Sequence, residues 1–238
     1  IQDLMDGVKQ VSDNIAHDLR TPLTRLRNDL VSFQKDCSTH EFDRVETLIA
    51  EADDMLATFN ALLRIARIEL GETKAERVSL ALDKLIEDVV ELYEPLAVEK
   101  GIHLQLELYP IECVADRNLL FQACANIVDN AIKYTPQGGN VQVSLSQGDQ
   151  YGFDNHLGGS DNKEASVTFS VLDSGCGIDQ SNYKKVLRRF YREESSRSLQ
   201  PGNGLGLSLV AAVAKLHDFQ LIFKPNDPGL QVHLHMQG

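Results

Sequence analysis

The stretch Gln122–Pro136 reads QACANIVDNAIKYTP and combines a helical repeat with a polar stripe. Its apolar residues recur at helical spacing, and the Pro and Gly residues after Tyr134 predict a helix that covers Asp116–Tyr134. A helix with one apolar side has to pack against another layer, so the flanking sequence is expected to supply a sheet. Four polar residues fall at i, i+4, i+8 and i+11 and share one face of this helix: Gln122, Asn126, Asn130 and Lys133.

This polar stripe indicates a ligand. Two amides and an ammonium on one helix face suit a hydrated divalent cation and phosphate oxygens. A solvated helix face is the alternative, although such faces usually carry Glu and Lys rather than paired Asn.

Sequence on both sides of this helix predicts the sheet and two more helices. Alternation of period two marks strands, and spacing of three or four residues marks helices. The predicted strands are His103–Leu108, Val141–Ser146, Ser166–Asp173, Phe219–Lys224 and Leu230–Met236, and the further helices are Leu80–Lys100 and Gly204–His217. The polar segment Gln147–Glu164 is expected to be a hairpin loop. We therefore expect residues 79–238 to form an α+β domain with its helices on one face of a mixed sheet.

The first 70 residues predict a helical hairpin with a break at Lys35–His40. Apolar residues recur every three or four positions in both helices. These stripes include Leu23, Leu26, Leu30 and Phe33 in the first helix and Val45, Ile49, Ala52 and Met55 in the second. A hairpin alone buries only one seam, so residues 1–70 are expected to pair with a second copy as a four-helix bundle. Packing against another part of the same chain is the alternative. The polar residues 71–78 are expected to form a linker.

The composition excludes several classes of protein. With 42% hydrophobic and 24% charged residues, the 238-residue chain is neither disordered nor of low complexity. Its formal net charge of -12 makes it a poor ligand for nucleic acid, and no apolar run approaches the length of a membrane span. The four cysteines form no CxxC pair and are expected to be reduced thiols. Because the N-terminus lacks Met and a signal peptide, we expect the chain to be cut from a longer protein.

The segment Ala16–Arg27, AHDLRTPLTRLR, supplies a candidate nucleophile. His17 lies off the apolar stripe and is expected to face solvent, with Asp18 beside it and Thr21 one turn further along the same face. A carboxylate that accepts one ring N–H of a histidine leaves the other ring nitrogen free to attack. An ordinary surface histidine is the alternative.

The segment SVLDSGCGID, residues 170–179, points to a flat ligand. Asp173 continues the apolar row of its predicted strand, where a carboxylate needs a hydrogen-bond donor such as an adenine amino group. Gly175 and Gly177 would let such a ligand approach the backbone closely. A turn or helix cap is the alternative role for Asp173.

A basic segment followed by a glycine-rich turn favours anion binding. Six Lys and Arg residues crowd residues 184–197 of an otherwise acidic chain. Gly202, Gly204 and Gly206 follow at the start of a helix, where backbone N–H groups can hold phosphate oxygens. The spacing of these glycines matches neither the P-loop nor the dinucleotide fingerprint.

These segments resemble, in order and content, the sequence boxes of the sensor histidine kinases of two-component signalling. AHDLRTPL is similar to their H box and NIVDNAIKYTP to their N box, while DSGCGI, RRFYR and GNGLGLSLV are similar to the G1, F and G2 boxes. The resemblance covers almost the whole chain. It implies a dimerisation and histidine phosphotransfer domain at 1–70, a linker at 71–78, and a catalytic ATP-binding domain of the Hsp90-like (Bergerat) fold at 79–238.

The resemblance also implies a role for each matching residue. His17 would be the phosphoacceptor, Asp18 its activating base, and Thr21 the residue that positions water for dephosphorylating a partner. Asn126 and Asn130 would hold Mg2+. The residues expected to bind ATP are Asn126, Asn130, Lys133, Tyr134, Asp173, Gly175, Gly177, Arg189, Arg192, Gly202, Gly204, Leu205 and Gly206.

Two places depart from the family pattern. Leu187 and Arg188 stand where family members often have Phe-Glu, which makes this segment more basic. Asp218 and Phe219 stand where the usual Gly-Gly follows a helix that ends here in His217. We expect the second departure to change only the turn.

The implied activity is ATP-dependent autophosphorylation of His17, transfer of the phosphoryl group to an aspartate of a response regulator, and regulator phosphatase activity. The implied setting is a homodimer on the cytoplasmic side of a bacterial inner membrane, attached only through N-terminal segments outside this sequence. Two alternatives stay open. One is an ATPase of the same fold without histidine transfer, which acid-labile phosphate on the protein would exclude. The other is a non-catalytic scaffold, which failure to bind ATP would favour.

Overall fold

The computed structural model describes residues 21–35, 39–148, 166–193 and 202–236. The chain divides into two units, and the division falls between Thr73 and Lys74. Within the described ranges, none of the helices combines the length and the hydrophobicity that a membrane span requires.

The first unit is a helical hairpin, as the sequence predicts. Residues 21–35 form helix α1, and Thr39–Glu69 forms helix α2. Arg27 Nε and Asp53 Oδ1 form an ion pair that joins the two helices. Val45, Ala52 and Ile65 of α2 are buried, whereas five large apolar residues of the hairpin are exposed: Leu26, Phe33, Phe42, Leu48 and Met55. One hairpin therefore covers only part of its apolar stripes.

The second unit is an α/β sandwich. In chain order its elements are β1 (Val78–Ala81), α3 (Leu82–Glu99), β2 (His103–Leu108), β3 (Glu112–Ala115), α4 (Arg117–Tyr134), β4 (Asn140–Gln147), β5 (Val167–Asp173), a 3₁₀ turn (Gln180–Asn182), α5 (Gly206–Leu216), β6 (Gln220–Pro225) and β7 (Leu230–Met236). Five strands form one sheet in the order β2-β4-β5-β7-β6. Strands β2 and β4 are parallel and all other neighbours are antiparallel, so the predicted mixed sheet is confirmed.

The core lies between the sheet and the helices. Leu145, Phe169 and Leu234 stand side by side on three neighbouring strands and are fully buried. Helix α4 packs against β4 and β5, α3 against β2, and α5 against β6. Most of the alternate residues of the same strands are polar, including Ser170, whose hydroxyl lies 2.8 Å from Nδ1 of His233. This division of the two faces follows from the period-two pattern of the strands.

The sequence analysis was wrong about two short segments. Strands β1 and β3 were not predicted; they pair antiparallel, with Val78 opposite Ala115. The predicted linker therefore ends in a strand, and the helix predicted from Leu80 begins at Leu82. A four-residue strand places only two side chains on each face, which is too few to show an alternation, and its partner lies more than 30 residues away.

Both ends of α4 are fixed by side chains. At its start, Asp116 Oδ1 accepts the N–H groups of Asn118 and Leu119. At its end, Lys100 Nζ donates to the carbonyl oxygens of Ile132 and Lys133 at 2.9 and 2.7 Å. These bonds satisfy backbone groups that a helix leaves unpaired at its termini, and they hold the polar stripe of α4 in place.

Candidate functional site

The site forms where the polar stripe of α4 meets the end of β5 and the start of α5. A Cβ added to Gly206 in the first turn of α5 would lie 2.8 Å from Asn126 Oδ1 and 3.5 Å from Asn130 Nδ2. A Cβ added to Gly175, just after β5, would lie 2.6 Å from the carbonyl oxygen of Tyr134. Glycine is required at 175, where the contact is with the backbone of α4, and at 206 it lets α5 approach the Asn126 side chain closely.

Asp173 lies at the end of β5 and is only 6% exposed. Its Oδ1 accepts the N–H groups of Gly175 at 2.8 Å and Leu230 at 3.3 Å. Burial raises the pKa of Asp173, and these two N–H groups offset part of that shift. Within the described part of the chain, no donor reaches Oδ2. The carboxylate therefore keeps one oxygen for a donor on a ligand.

The turn between β6 and β7 supports Asp173, a contact that the sequence analysis did not predict. Asn226 Nδ2 donates to the backbone oxygen of Asp173 at 2.8 Å. Gly229 has a φ of 119°, and a Cβ there would overlap that same oxygen. Gly177, with a φ of 67°, lies against Gly229 in turn. The residues NDPG at 226–229 are typical of a turn, but nothing in the sequence places this turn against a residue 53 positions earlier.

The two asparagines fit a Mg2+ site. Both are half-buried on one face of α4. Asn126 Nδ2 donates to Gln122 O at 2.8 Å, which leaves its amide oxygen directed towards the start of α5. Asn130 makes no side-chain hydrogen bond to any described residue. Mg2+ prefers a few protein oxygens together with water and phosphate oxygens, and two amide oxygens meet that demand.

Lys133 lies on the same face but is engaged within its own helix. Its Nζ donates to Asp129 Oδ2 at 2.6 Å, one turn back. A phosphate at this face would have to compete with Asp129 for the ammonium. Tyr134, the next residue, is half-buried and contributes its backbone to the contact with Gly175.

The basic and glycine-rich segments are joined to each other. The N–H of Phe190 donates to Gly204 O at 3.0 Å, and Arg192 Nη1 donates to Gly202 O at 2.8 Å. Gly204 has a φ of 65°, and a Cβ there would lie 2.9 Å from the backbone of Phe190. Arg189 is exposed beside this connection. These contacts hold Arg192 against the chain that leads into α5.

The first turn of α5 has no hydrogen bond from the side chain of its N-cap residue. Leu205 occupies the N-cap position, is buried, and caps no N–H group with its side chain. The N–H groups of the first turn and the positive end of the helix dipole thus favour negative charge here.

The remaining predicted residues belong to the first unit. Thr21 is exposed on α1. His17 and Asp18 lie outside the described residues, so the structure gives no geometry for the candidate nucleophile.

Two family models match the chain. The model described as "Histidine kinase-, DNA gyrase B-, and HSP90-like ATPase" matches residues 115–237. The model described as "His Kinase A (phospho-acceptor) domain" matches residues 8–71. The first range contains Asn126, Asp173 and Gly206, and the second contains His17.

Curated relatives match most of this chain. It is 28% identical over 211 residues to the signal transduction histidine-protein kinase BaeS of Escherichia coli (strain K12), covering 88% of this chain and 42% of BaeS. It is 30% identical over 226 residues to the sensor protein BasS of the same strain, covering 92% of this chain and 55% of BasS. The chain therefore spans about half the length of the curated relatives it matches.

Solved structures share the fold. Full-length ShkA in complex with AMPPNP superposes with a TM-score of 0.77 at 22% identity, covering 95% of this chain and 45% of ShkA. The histidine kinase AdeS of Acinetobacter baumannii gives a TM-score of 0.64 at 17% identity, covering 93% of this chain and 97% of AdeS.

Asp173→Asn should weaken ATP binding. The amide keeps an oxygen for the N–H groups of Gly175 and Leu230 but presents a donor in place of the acceptor Oδ2. Loss of that charge-assisted bond costs about 1.5–3 kcal/mol, or roughly 10- to 150-fold in affinity, which titration calorimetry measures. Asp227→Asn, an exposed change in the supporting turn, serves as the control. Equal affinity of Asp173→Asn and wild type would place the adenine pocket elsewhere.

The same variant should be more stable than the wild type without ligand at neutral pH. Because the folded-state pKa of Asp173 is raised by burial, the folded state loses stability as the pH rises through that pKa and the carboxyl ionises. The asparagine removes this loss. Its advantage in melting temperature should shrink as the pH falls and Asp173 of the wild type becomes protonated.

Proposed function

The chain belongs to the sensor histidine kinases of two-component signalling, and we propose that it is an ATP-dependent kinase core that phosphorylates His17 and passes the phosphoryl group to an aspartate of a response regulator. Two contacts of α4 carry this proposal: Gly206 lies against Asn126, and Gly175 lies against Tyr134 beside Asp173, whose buried carboxylate has one open oxygen. This arrangement argues against a scaffold that binds no ATP.

The geometry of this unit supports ATP binding. The adenine amino group donates to Asp173 Oδ2, and the backbone at Gly175 and Gly177 accommodates the flat base. The phosphates lie towards the first turn of α5, where N–H groups and the nearby Arg192 balance their charge. Asn126 and Asn130 would hold Mg2+, which supplies further neutralisation of phosphate charge.

Phosphoryl transfer then needs positioning rather than covalent chemistry on this unit. A ring nitrogen of His17 attacks the γ-phosphorus with its lone pair, and the bond to the β–γ bridging oxygen breaks. The electron pair leaves with ADP. Asp18 accepts the N–H on the other ring nitrogen and stabilises the positive charge that develops on the imidazole.

We also propose that the chain acts as a homodimer through its helical hairpin. Leu48 and Met55, seven residues apart on α2, are 44% and 56% exposed within one chain. Leu26 and Phe33 have the same spacing on α1 and are also exposed. A second hairpin would bury both pairs and complete a four-helix bundle.

The whole protein that contains this core is proposed to work on the cytoplasmic side of a bacterial inner membrane. The proposal is supported by the greater length of the curated relatives, which leaves room for sensing and membrane segments. The partner is the receiver domain of a response regulator, and no nucleic acid is involved.

His17→Ala should abolish phosphorylation of the chain and leave ATP affinity nearly unchanged, because the acceptor and the nucleotide residues belong to different units. Incubation with γ-labelled ATP and Mg2+, followed by mapping of the acid-labile phosphate, measures the first effect. Titration calorimetry measures the second. Phosphohistidine that persists in the variant would show that another histidine is the acceptor.

Light scattering at micromolar concentration should give the full chain twice its monomer mass. The double change Leu48→Glu and Met55→Glu should lower this to one monomer mass, because carboxylates would have to be buried in the bundle. Ala50→Glu adds a charge to an exposed position on another face of α2 and should leave the dimer intact. A monomeric wild type would contradict the bundle.

Thr21→Ala should spare autophosphorylation and phosphotransfer but slow the loss of phosphate from the regulator. Thr21 follows His17 by four residues, and we propose that its hydroxyl orients an attacking water, whereas attack by His17 depends on Asp18. Helix propensity favours Ala over Thr by roughly a few tenths of a kcal/mol, so the hairpin should not suffer. The measurement follows decay of pre-phosphorylated regulator with ADP present. Decay at the wild-type rate would assign Thr21 a purely structural role.

A further inference from the structure

The two helices of the nucleotide site are also joined at their far ends. His217, at the end of α5, is only 4% exposed. Its Nδ1–H donates to Val213 O at 2.9 Å, so its Nε2 carries the lone pair that accepts the N–H of Asp116 at 3.0 Å. Asp116 caps α4, and Asn126 lies ten residues, or about 15 Å, further along that helix. His217 therefore joins α4 to α5 well away from Asn126, and we call its two hydrogen bonds the clamp.

Residues 76–77, near the start of the second unit, form the incoming segment and are hydrogen-bonded to the residues of this clamp and its neighbours. The N–H of Glu76 donates to Asp116 Oδ2 at 3.1 Å. Arg77 Nη2 donates to Leu216 O at 3.0 Å and to Asp218 Oδ2 at 3.2 Å. Residues 76–77 thus hold the N-cap of α4 and the end of α5 at once.

Asp218 is an unusual residue for its position. It follows the last turn of α5 with a φ of 60°, a conformation that favours glycine at the end of a helix. Glycine would satisfy the backbone better, but only a residue with an acceptor can bind Arg77. Asp218 stands where family members usually have glycine, and its carboxylate binds Arg77 of the incoming segment.

We propose that His217 is a positioning residue for the nucleotide site and that residues 76–77 act on the site through this clamp. The inference rests on the proposed ATP binding. The start of α5 lies against Asn126 in the middle of α4, and the clamp joins the end of α5 to the start of α4. A change at the clamp alters how Asn126 and Gly206 face each other, and nucleotide binding in turn favours the clamped arrangement.

The histidine is tested by a pair of variants in the full chain. His217→Leu leaves the N–H of Asp116 without an acceptor and should weaken ATP binding about tenfold. In His217→Gln the side-chain oxygen can accept that N–H, so much of the affinity should return. Equal losses in both variants, or no loss in either, would overturn the positioning role.

The incoming segment is tested by Asp218→Gly. Because glycine relieves the backbone at φ 60°, the melting temperature should not fall. Loss of the Arg77 carboxylate partner should nevertheless weaken ATP binding about threefold. Asp88→Ala removes a matched exposed bridge, Asp88 Oδ2 to Arg117 Nη2 at 2.9 Å, and should leave the affinity unchanged. A purely structural contact would give Asp218→Gly wild-type affinity.

Limited proteolysis tests the reverse direction of the coupling. Trypsin cleavage after the exposed Lys74 should slow about threefold in the wild type when ATP is added, and should not slow in Asp218→Gly. Wild-type ATP binding without protection, together with unchanged affinity in the variants, would overturn this inference alone. A wild type that binds no ATP would overturn the proposed function and this inference with it.

Discussion

The buried carboxylate of Asp173 is the constraint around which the second unit is arranged. A charge at that depth is costly unless donors surround it, and the described part of the backbone supplies two, both to Oδ1. Those donors come from Gly175 and Leu230, on chain segments that can approach only because Gly177 and Gly229 have no side chains. The remaining oxygen has no donor among the described residues, which supports the proposal that an amino group of a ligand binds there.

Helix α4 contacts both the segment after Asp173 and the start of α5. Asp116 and Lys100 fix its two ends, and Gly206 places the start of α5 directly against Asn126. The two asparagines proposed to hold Mg2+ and the turn proposed to bind phosphate are thus positioned by one helix. Asp116 at the start of α4 binds both His217 of α5 and the N–H of Glu76, so residues 76–77 are connected to both helices. We propose that a change at residues 76–77 reaches the nucleotide site through these bonds.

The two units differ in how far one chain covers their large apolar residues. The sandwich buries its large apolar residues, such as Phe169 and Ile127, within one chain. The hairpin has only one seam and leaves Phe33 and Met55 at the surface. The second unit therefore covers its large apolar core residues within one chain, whereas the first unit needs an external surface to cover its apolar residues.

Sequence by itself determined the helices, the main strands and the identity of the chemical groups. Periodicity located α4 and the sheet, and the burial of Asp173 followed from its place in an alternating strand. Contacts between residues that lie far apart in the sequence could not be predicted from these patterns. Strands β1 and β3, the support of Asp173 by Asn226, and the bond between His217 and Asp116 all depend on residues more than 30 positions apart. Local patterns report which face of an element is buried, but only the tertiary structure decides which buried groups meet, because that depends on how all the elements pack at once.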